Sequence, residues 1–313
     1  MAKVIPFKGV LYNTSRVDAG VVLAPPYDII TPEFQDELYR KSPYNIVRVD
    51  FGKEQPGDDE ADNKYFRAKR YFETWIRDEI LVVSRKPSFY AYEISYVING
   101  EEKRLLGFLG LVKLEELGQG SIYPHECTYS KPKQDRLTLL RRCMANVSPI
   151  FSLYRSSDGK LFSLLTEITK SKPYIEATDS VGAIHRLWQV DEKMDIDVIK
   201  EEMEDKFIII ADGHHRYETA LEFQKAMREK RALSANDEPY DYILMFLTNM
   251  LDRGLTILPT HRLVKEIPDG INTKLSEYFE IEKMINNFEI SDKISDGKHV
   301  FGFFKNQDKF WYL

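Results

Sequence analysis

The most constraining feature of this 313-residue sequence is an apolar segment that passes through a single glycine into a helical pattern. Lys206–Ala211 is predicted to be a buried strand, and the residues from Asp212 to Arg216 form the turn that follows it. Apolar residues at helical spacing then predict a helix to about Lys230. Strand and helix patterns follow one another along the chain, so the predicted fold class is α+β, with mixed α/β layers.

The turn around Gly213 has the residue types of an anion-binding site. The first backbone N–H groups of a helix lack intrahelical partners, and the helix dipole favours negative charge there. Gly213 allows close backbone approach, and Arg216 can make a bidentate phosphate contact. His214 and His215 can donate hydrogen bonds or exchange protons near neutral pH. The simpler alternative is that Asp212 caps the helix beside two ordinary histidines.

A second cluster, His125–Arg136, lies mostly on a loop that is rich in Gly, Pro, Ser and Lys and is predicted over residues 118–133. His125 and Glu126 are candidate catalytic residues, with Glu126 as general base for a hydroxyl nucleophile. Lys131, Lys133 and Arg136 are candidates to hold phosphate oxygens. The alternative is a solvated charged loop in front of a helix predicted over residues 135–146.

Other parts of the chain add residues of similar chemistry. Two of them lie in a proline-restricted loop, two lie on a predicted strand where alternate side chains face opposite sides, and two follow a Leu-Pro-Thr segment. Either role, structural or functional, suits each of these residues. They are Tyr27 and Asp28, His185 and Arg186, and His261 and Arg262.

Composition excludes several classes of protein. With 44 basic and 50 acidic residues the net charge is −6, so extensive nucleic-acid binding is not expected. There is no apolar run long enough to span a membrane and no secretory signal at the start, and two cysteines do not form a disulfide framework. We therefore expect a cytoplasmic protein. The motifs typical of dinucleotide-binding proteins, P-loop proteins, His-Glu-x-x-His zinc enzymes and Gly-x-Ser-x-Gly hydrolases are absent. Adjacent histidines seldom bind one metal ion together, so the sequence identifies no metal ligands.

Two domains are predicted, an N-terminal α/β domain over residues 1–95 and an αβ domain over residues 96–313. A helix is expected over about residues 60–80, and Asn99-Gly100 predicts a hairpin between strands 89–97 and 104–114. Residues 242–251 are predicted as a strand, and the sequence stops inside a further strand pattern at residues 309–313, as a shortened chain would.

An ordered set of motifs resembles the bacterial and archaeal family called domain of unknown function 1015, over nearly the whole chain. The motifs are Ala24–Asp28, His125-Glu126, Lys131–Lys133, Asp135-Arg136, Ser148–Phe151, Ala211–Ala220 and Leu258–Arg262. Locally, the Asp-Gly-His-His-Arg turn is similar to a turn in the ParB/sulfiredoxin superfamily, which includes free serine kinases. This second resemblance implies a ParB/sulfiredoxin-like core and phosphate binding by Gly213, His214, His215 and Arg216.

These observations favour a phosphotransferase-type enzyme that acts on a small hydroxyl metabolite such as serine or phosphoserine. ATP or ADP is the expected nucleotide, and Mg²⁺ is expected to offset the phosphate charge, held by Asp212 or Glu126. Two alternatives remain open: a nucleotide- or metabolite-binding regulator without turnover, and a metal-dependent hydrolase that uses the histidines. The expected partners are a small metabolite and a nucleotide, and the sequence does not indicate an oligomeric state.

Overall fold

The computed structural model describes residues 2–126, 130–230, 237–258, 264, 266–284, 300–304 and 310–312. For residues 130–132, 283–284, 304 and 310–312 it describes the backbone only. By internal contacts the chain separates into two compact units, Met1–Thr256 and Ile257–Leu313. All the helices and strands that build the candidate site belong to the first unit.

The strands are, in chain order, β1 (Val4–Ile5), β2 (Val10–Tyr12), β3 (Leu81–Val83), β4 (Phe89–Ile98), β5 (Glu101–Lys113), β6 (Ile122–Tyr123), β7 (Ile150–Tyr154), β8 (Ile175–Thr178), β9 (Ile184–Val190), β10 (Ile208–Asp212), β11 (Tyr242–Asn249), β12 (Glu282–Met284), β13 (Gly302–Phe304) and β14 (Phe310–Tyr312). The helices are α1 (Ala19–Val22), α2 (Pro32–Lys41), α3 (Val47–Asp50), α4 (Lys64–Arg77), α5 (Ser130–Cys143), α6 (Lys160–Ile168), α7 (Lys193–Glu204), α8 (His214–Lys230) and α9 (Ile271–Ser276). Two short 3₁₀ helices cover Tyr27–Ile29 and Pro239–Asp241.

Nine of the described strands form one mixed sheet in the order β6-β10-β7-β11-β5-β4-β9-β8, with β1 paired to β5. β6 runs parallel to β10 and β7 runs parallel to β11, while the other pairs are antiparallel. The smaller unit contains a separate three-stranded sheet in the order β12-β14-β13. This mixed α/β architecture agrees with the predicted α+β class.

The main hydrophobic core lies on one face of the large sheet. Alternate residues of its strands point to this face, where they meet apolar side chains of three helices. α6 contributes Leu161, α7 contributes Ile199 and Met203, and α8 contributes Tyr217 and Ala220. Each large apolar side chain that is fully buried contributes about 1.5–3 kcal/mol relative to exposure. This packing fixes α8, and therefore its first turn, against the sheet.

A second core joins the N-terminal helices to α5. Val22, Val49 and Trp75 pack there together with Leu139 and Cys143 of α5. α5 also packs against α8. One helix therefore connects the N-terminal layer to the helix that begins at the candidate site.

Several predicted elements are confirmed with shifted ends. Asn63 caps α4 by accepting from the backbone N–H groups of Tyr65 and Phe66, inside the predicted segment 60–80. The predicted hairpin joins β4 and β5, and both turn residues have positive φ, 52° at Asn99 and 79° at Gly100. The strand predicted over 242–251 is β11. Helix periodicity and the Asn-Gly turn were sufficient signals for these elements.

Two details of the predicted organisation differ from the structure. Residues 130–133, expected in a loop, are the first turn of α5, where a proline is tolerated because its missing N–H would be unpaired anyway. The predicted domain boundary at residue 95 falls inside β4, whose residues pair with β5 on one side and β9 on the other. The compact units instead divide after Thr256.

Candidate functional site

The corner between β10 and α8 is built around Gly213. β10 ends at Asp212, α8 begins at His214, and the glycine between them has φ of +98°, a conformation that L side chains rarely adopt. A Cβ atom at Gly213 would lie 3.1 Å from the guanidinium of Arg216. The arginine therefore folds back over the turn, and a side chain at Gly213 would crowd its guanidinium.

His214 is the most buried polar side chain at this corner, with 1% of the side chain exposed. Its Nε2 accepts a hydrogen bond from the backbone N–H of His125 at 3.1 Å. Its Nδ1 is buried without a hydrogen-bond partner and lies 3.3 Å from Oε1 of Glu126. Because Nε2 is an acceptor, a neutral imidazole carries its proton on Nδ1, facing that carboxylate.

The protonation of His214 is governed by its burial. Burial lowers the pKa of the imidazole from its ordinary value, and the nearby Glu126 carboxylate opposes this shift only in part. His214 is therefore neutral near pH 7, and its Nδ1 lies close to the Glu126 carboxylate without a hydrogen bond to it. The fixed tautomer leaves this N–H available to an acceptor that comes within hydrogen-bonding range.

His125 ties its own segment to the end of β10. Its Nε2 lies 3.0 Å from the carbonyl oxygen of Ala211, which can only accept, so this nitrogen carries the hydrogen. The His125 and His214 rings meet edge to face with centroids 4.6 Å apart. The structure thus places His125 and Glu126, separated from the turn by more than eighty residues in sequence, directly at the corner.

The Arg216 guanidinium is already hydrogen-bonded. It donates to the Pro149 carbonyl oxygen and, at 2.5 Å, to Oδ2 of Asp212. Asp212 has 53% of its side chain exposed whereas Arg216 has 15%, so the carboxylate half of the pair is the part open to water. A ligand oxyanion can therefore approach the guanidinium by displacing Asp212.

Arg136 lies in a buried ion-pair network. It donates to Oδ1 of Asp50 at 2.9 Å and to Oδ2 of Asp135 at 2.6 Å, and its guanidinium lies 4.1 Å from the Tyr27 ring centre. Ser148 Oγ also donates to Asp50, at 3.0 Å. The predicted phosphate contact from Arg136 would require one of these buried pairs to open, at a much larger cost than at Asp212.

A small cavity of about 50 Å³ lies between the two predicted cationic clusters and is lined by one arginine of each. Its lining includes Arg136, Arg216, Ser148 and Thr219. Tyr27 is close enough to both arginines for their charge to act on its hydroxyl, although burial is the dominant effect and raises its pKa. The 3₁₀ helix Tyr27–Ile29 and the middle of α5 therefore meet beside this corner.

The remaining predicted residues fall in three places. Lys133 Nζ donates to Oε2 of Glu218 on α8 at 2.7 Å, which places it on the flank of the corner. His215 is half-buried in the first turn of α8 and has interaction partners of its own. The Lys131 side chain, His261 and Arg262 lie outside the described residues.

His185 and Arg186 lie far from the corner. Their strand, β9, is the fifth neighbour of β10 in the sheet, about 24 Å away at normal strand spacing. His185 Nδ1 lies 2.6 Å from the Tyr92 hydroxyl, and its Nε2 lies 3.2 Å from Oδ2 of Asp179. Arg186 pairs with Glu93 and Glu176 on adjacent strands. The structure does not bring these two residues to the site.

Sequence reasoning missed the partners that hold the arginines. Asp50 ends a four-residue helix, and nothing local in the sequence distinguishes it from other surface-type aspartates. The Pro149 carbonyl is a backbone group, although Ser148-Pro149 does belong to the ordered motif set. Such partners become visible only once the sheet brings distant segments together.

Two negative findings concern the described part of the chain. Within it, no group of three or more His, Cys, Asp and Glu side chains is arranged to hold a metal ion. No helix among the same residues is long and apolar enough to cross a membrane.

Fold and site together define a mixed α/β protein whose strand-to-helix corner gathers histidine, carboxylate and guanidinium groups. The chain belongs to the family described as protein of unknown function (DUF1015), whose model matches residues 4–313. No curated protein and no solved structure matches the chain. The resemblance to a ParB/sulfiredoxin-like core stays a prediction.

Proposed function

We propose that this protein is a phosphotransferase-type enzyme that binds a nucleotide or phosphate at the turn around Gly213. Its second substrate is a small hydroxyl metabolite, serine or phosphoserine in character. The observation that carries the proposal is the meeting of Glu126, His125 and His214 with the glycine turn and Arg216 at one corner. Phosphoryl transfer depends mostly on positioning and electrostatic stabilisation, which these groups supply.

The tautomer of His214 supports a division of roles at the corner. With its proton on Nδ1, His214 is not available as a base and instead orients the Glu126 carboxylate. Glu126 has 54% of its side chain exposed, so a substrate hydroxyl can reach it. Glu126 is therefore the proposed general base, with His214 as its positioning residue, and His125 holds this segment against Ala211.

The phosphate site consists of the first turn of α8 and Arg216. A phosphate group takes the place of Asp212 on the guanidinium while the backbone around Gly213 approaches it closely. Lys133 and Lys131 are candidates to meet outer phosphate oxygens once the ligand competes with Glu218 for Lys133. Arg136 stabilises the corner through Asp50 and Asp135 without leaving its pairs.

Mg²⁺ fits the carboxylates that the corner offers. This ion is commonly held by one or two carboxylates together with substrate phosphates, so it needs no dedicated cage of protein ligands. Asp212 is a half-exposed carboxylate at the turn and would hold it, which leaves Glu126 as the general base. Bound there, it would neutralise phosphate charge.

The proposal is tested by following phosphorus with NMR. The protein is incubated with Mg²⁺, L-serine or phosphoserine, and ATP, ADP or pyrophosphate in turn. We expect phosphate to move between donor and acceptor, and Glu126→Gln to slow this at least a hundredfold, as the loss of a general base does. Glu102→Gln, at an exposed position on β5, is the matched control and should keep full activity.

A regulator is the second candidate, because Asp212 holds the Arg216 guanidinium in place and a binding site needs no base. Tight nucleotide binding with no turnover across the acceptor panel would support the regulator and contradict the enzyme. Phosphate release to water that stops when a chelator removes metal would instead support the metal-dependent hydrolase.

A further inference from the structure

We propose that the exposed aromatic pair Tyr123 and Phe207 is the stacking surface for the base of the nucleotide whose phosphates bind at Gly213. This inference rests on the proposed function and adds to it the class of donor: a nucleoside di- or triphosphate rather than free pyrophosphate. The pair lies at the β6 edge of the large sheet.

Both rings are open to solvent. Tyr123 is 39% exposed and Phe207 is 63% exposed, yet the two rings contact each other with centroids 5.7 Å apart at an angle of 69°. Aromatic side chains bury large apolar areas when they can, so an exposed pair forms an apolar surface without a cover. A planar heteroaromatic ring can stack on such a surface, and removing its faces from water costs little free energy.

Strand register places this surface on the same face of the sheet as the start of the site. Tyr123 lies opposite Ile209, Ile209 lies opposite Leu153, and Asp212 lies opposite Phe151. Leu153 and Phe151 are alternate residues of β7 and share one face. The register shifts at a β-bulge between Ile210 and Asp212, so Asp212, although three residues after Ile209, lies opposite Phe151 and faces the same side as Tyr123.

Phe207 belongs to this face by the same alternation, because it lies two residues before Ile209. A strand advances roughly 13 Å from Ile209, the partner of Tyr123, to Gly213, and roughly 20 Å from Phe207 to Gly213. A base stacked between these two levels, followed by a ribose and two or three phosphates, can span that separation. The base would lie on the aromatic pair while the phosphates reach the turn.

The backbone from the aromatic pair to the glycine turn is continuous along the edge of the sheet. The chain leaves Tyr123 alongside β10 and reaches His125, whose ring bonds Ala211, and then Glu126 beside His214. An elongated ligand laid along this edge would pass from apolar rings to the general base and the glycine turn. Stacking without polar base contacts predicts little discrimination between adenine and guanine nucleotides.

Calorimetry with two ligands tests the inference: Mg-ATP, which carries a base, and Mg-tripolyphosphate, which lacks one. We expect Phe207→Ala to weaken ATP binding about tenfold and to leave tripolyphosphate binding unchanged, because only the stacking contact is lost. Phe207→Tyr should retain ATP affinity, which would show that the aromatic ring matters. Phe162→Ala, at an exposed phenylalanine on α6, is the matched control and should change neither affinity.

The outcomes separate this inference from the proposed function. If ATP and tripolyphosphate bind equally, or Phe207→Ala weakens both alike, the base surface is wrong while phosphate binding at Gly213 stands. If neither ligand binds, the proposed function fails and this inference fails with it. Thermal melts of each variant identify any loss that comes from unfolding.

Discussion

At the scale of single residues, the chemistry of the corner depends on one backbone hydrogen bond. The His125 amide fixes which nitrogen of His214 carries the proton, and burial keeps that ring neutral. The sequence identified His214 as a candidate but could not separate it from His215, because both are histidines in the first turn of one helix. Their different roles follow from which ring points into the core, and that requires tertiary packing.

Lowering the pH should destabilise the native state through His214. Its native pKa lies below the ordinary value of about 6.5, so below that pH the unfolded chain binds a proton that the native ring resists. The stabilisation is therefore complete above pH 6.5 and falls as the pH drops through the native pKa. Urea unfolding at pH 7.5 and pH 5.0 should show a larger loss for wild type than for His214→Gln. Equal losses would contradict this account.

Gly213→Ala should destabilise the protein by about 1–3 kcal/mol, because it forces a positive φ and crowds the Arg216 guanidinium. Gly118→Ala is the matched control, since Gly118 has φ of +73° but nothing near its missing Cβ. Urea midpoints of the two variants separate backbone strain from the contact with Arg216. If both variants lose the same stability, the close approach at Gly213 has no energetic consequence.

At the scale of elements, α5 is the helix whose contacts hold the candidate site together. It packs on α4 and α8, and Arg136 on its buried side joins Asp50 of α3. Its first turn, including Pro132, was expected in a loop, because a segment rich in Lys and Pro resembles a connector. Strong helix periodicity in α4 and the Asn-Gly hairpin signal were read correctly because they are local. The pairing of Arg136 with Asp50 joins residues 86 apart in sequence and has no local signature.

Breaking that pair from one side should be costly. Arg136→Met leaves Asp50 buried without its cation, and we expect a loss of about 3–5 kcal/mol in the free energy of unfolding. In the double variant Asp50→Asn with Arg136→Met, the total loss should be well below the sum of the single losses. Chemical denaturation of the four proteins in this cycle measures the coupling. Additive losses would show that the two side chains do not stabilise each other.

At the scale of the whole molecule, the sheet separates His185-Arg186 from the glycine turn and its Arg216. Strand order, which the sequence does not reveal, places β9 five positions from β10. The sequence did not establish whether His125-Glu126 and the glycine turn share one pocket, and the structure joins them at the corner. The α+β class followed from patterning alone, whereas the division into units after Thr256 did not.

This separation predicts independent effects on ligand affinity. Arg216→Ala should weaken tripolyphosphate binding about tenfold or more, as the loss of a charge-assisted hydrogen bond does. Arg186→Gln should change it less than twofold, and the double variant should equal Arg216→Ala alone. Calorimetric titration measures all three, with thermal melts as the folding control. A large effect of Arg186→Gln would place its network at the binding site after all.

The hydrogen bond between His125 and His214 also has a consequence for how the protein forms during synthesis. It joins residues 89 apart along the chain, with β7, β8, β9 and β10 made in between. A nascent fragment that stops before α8 cannot form this hydrogen bond. Closing so long a loop of chain is also slow compared with local helix formation. Recovery of ligand binding during refolding should therefore coincide with the final, global phase rather than with early helix formation.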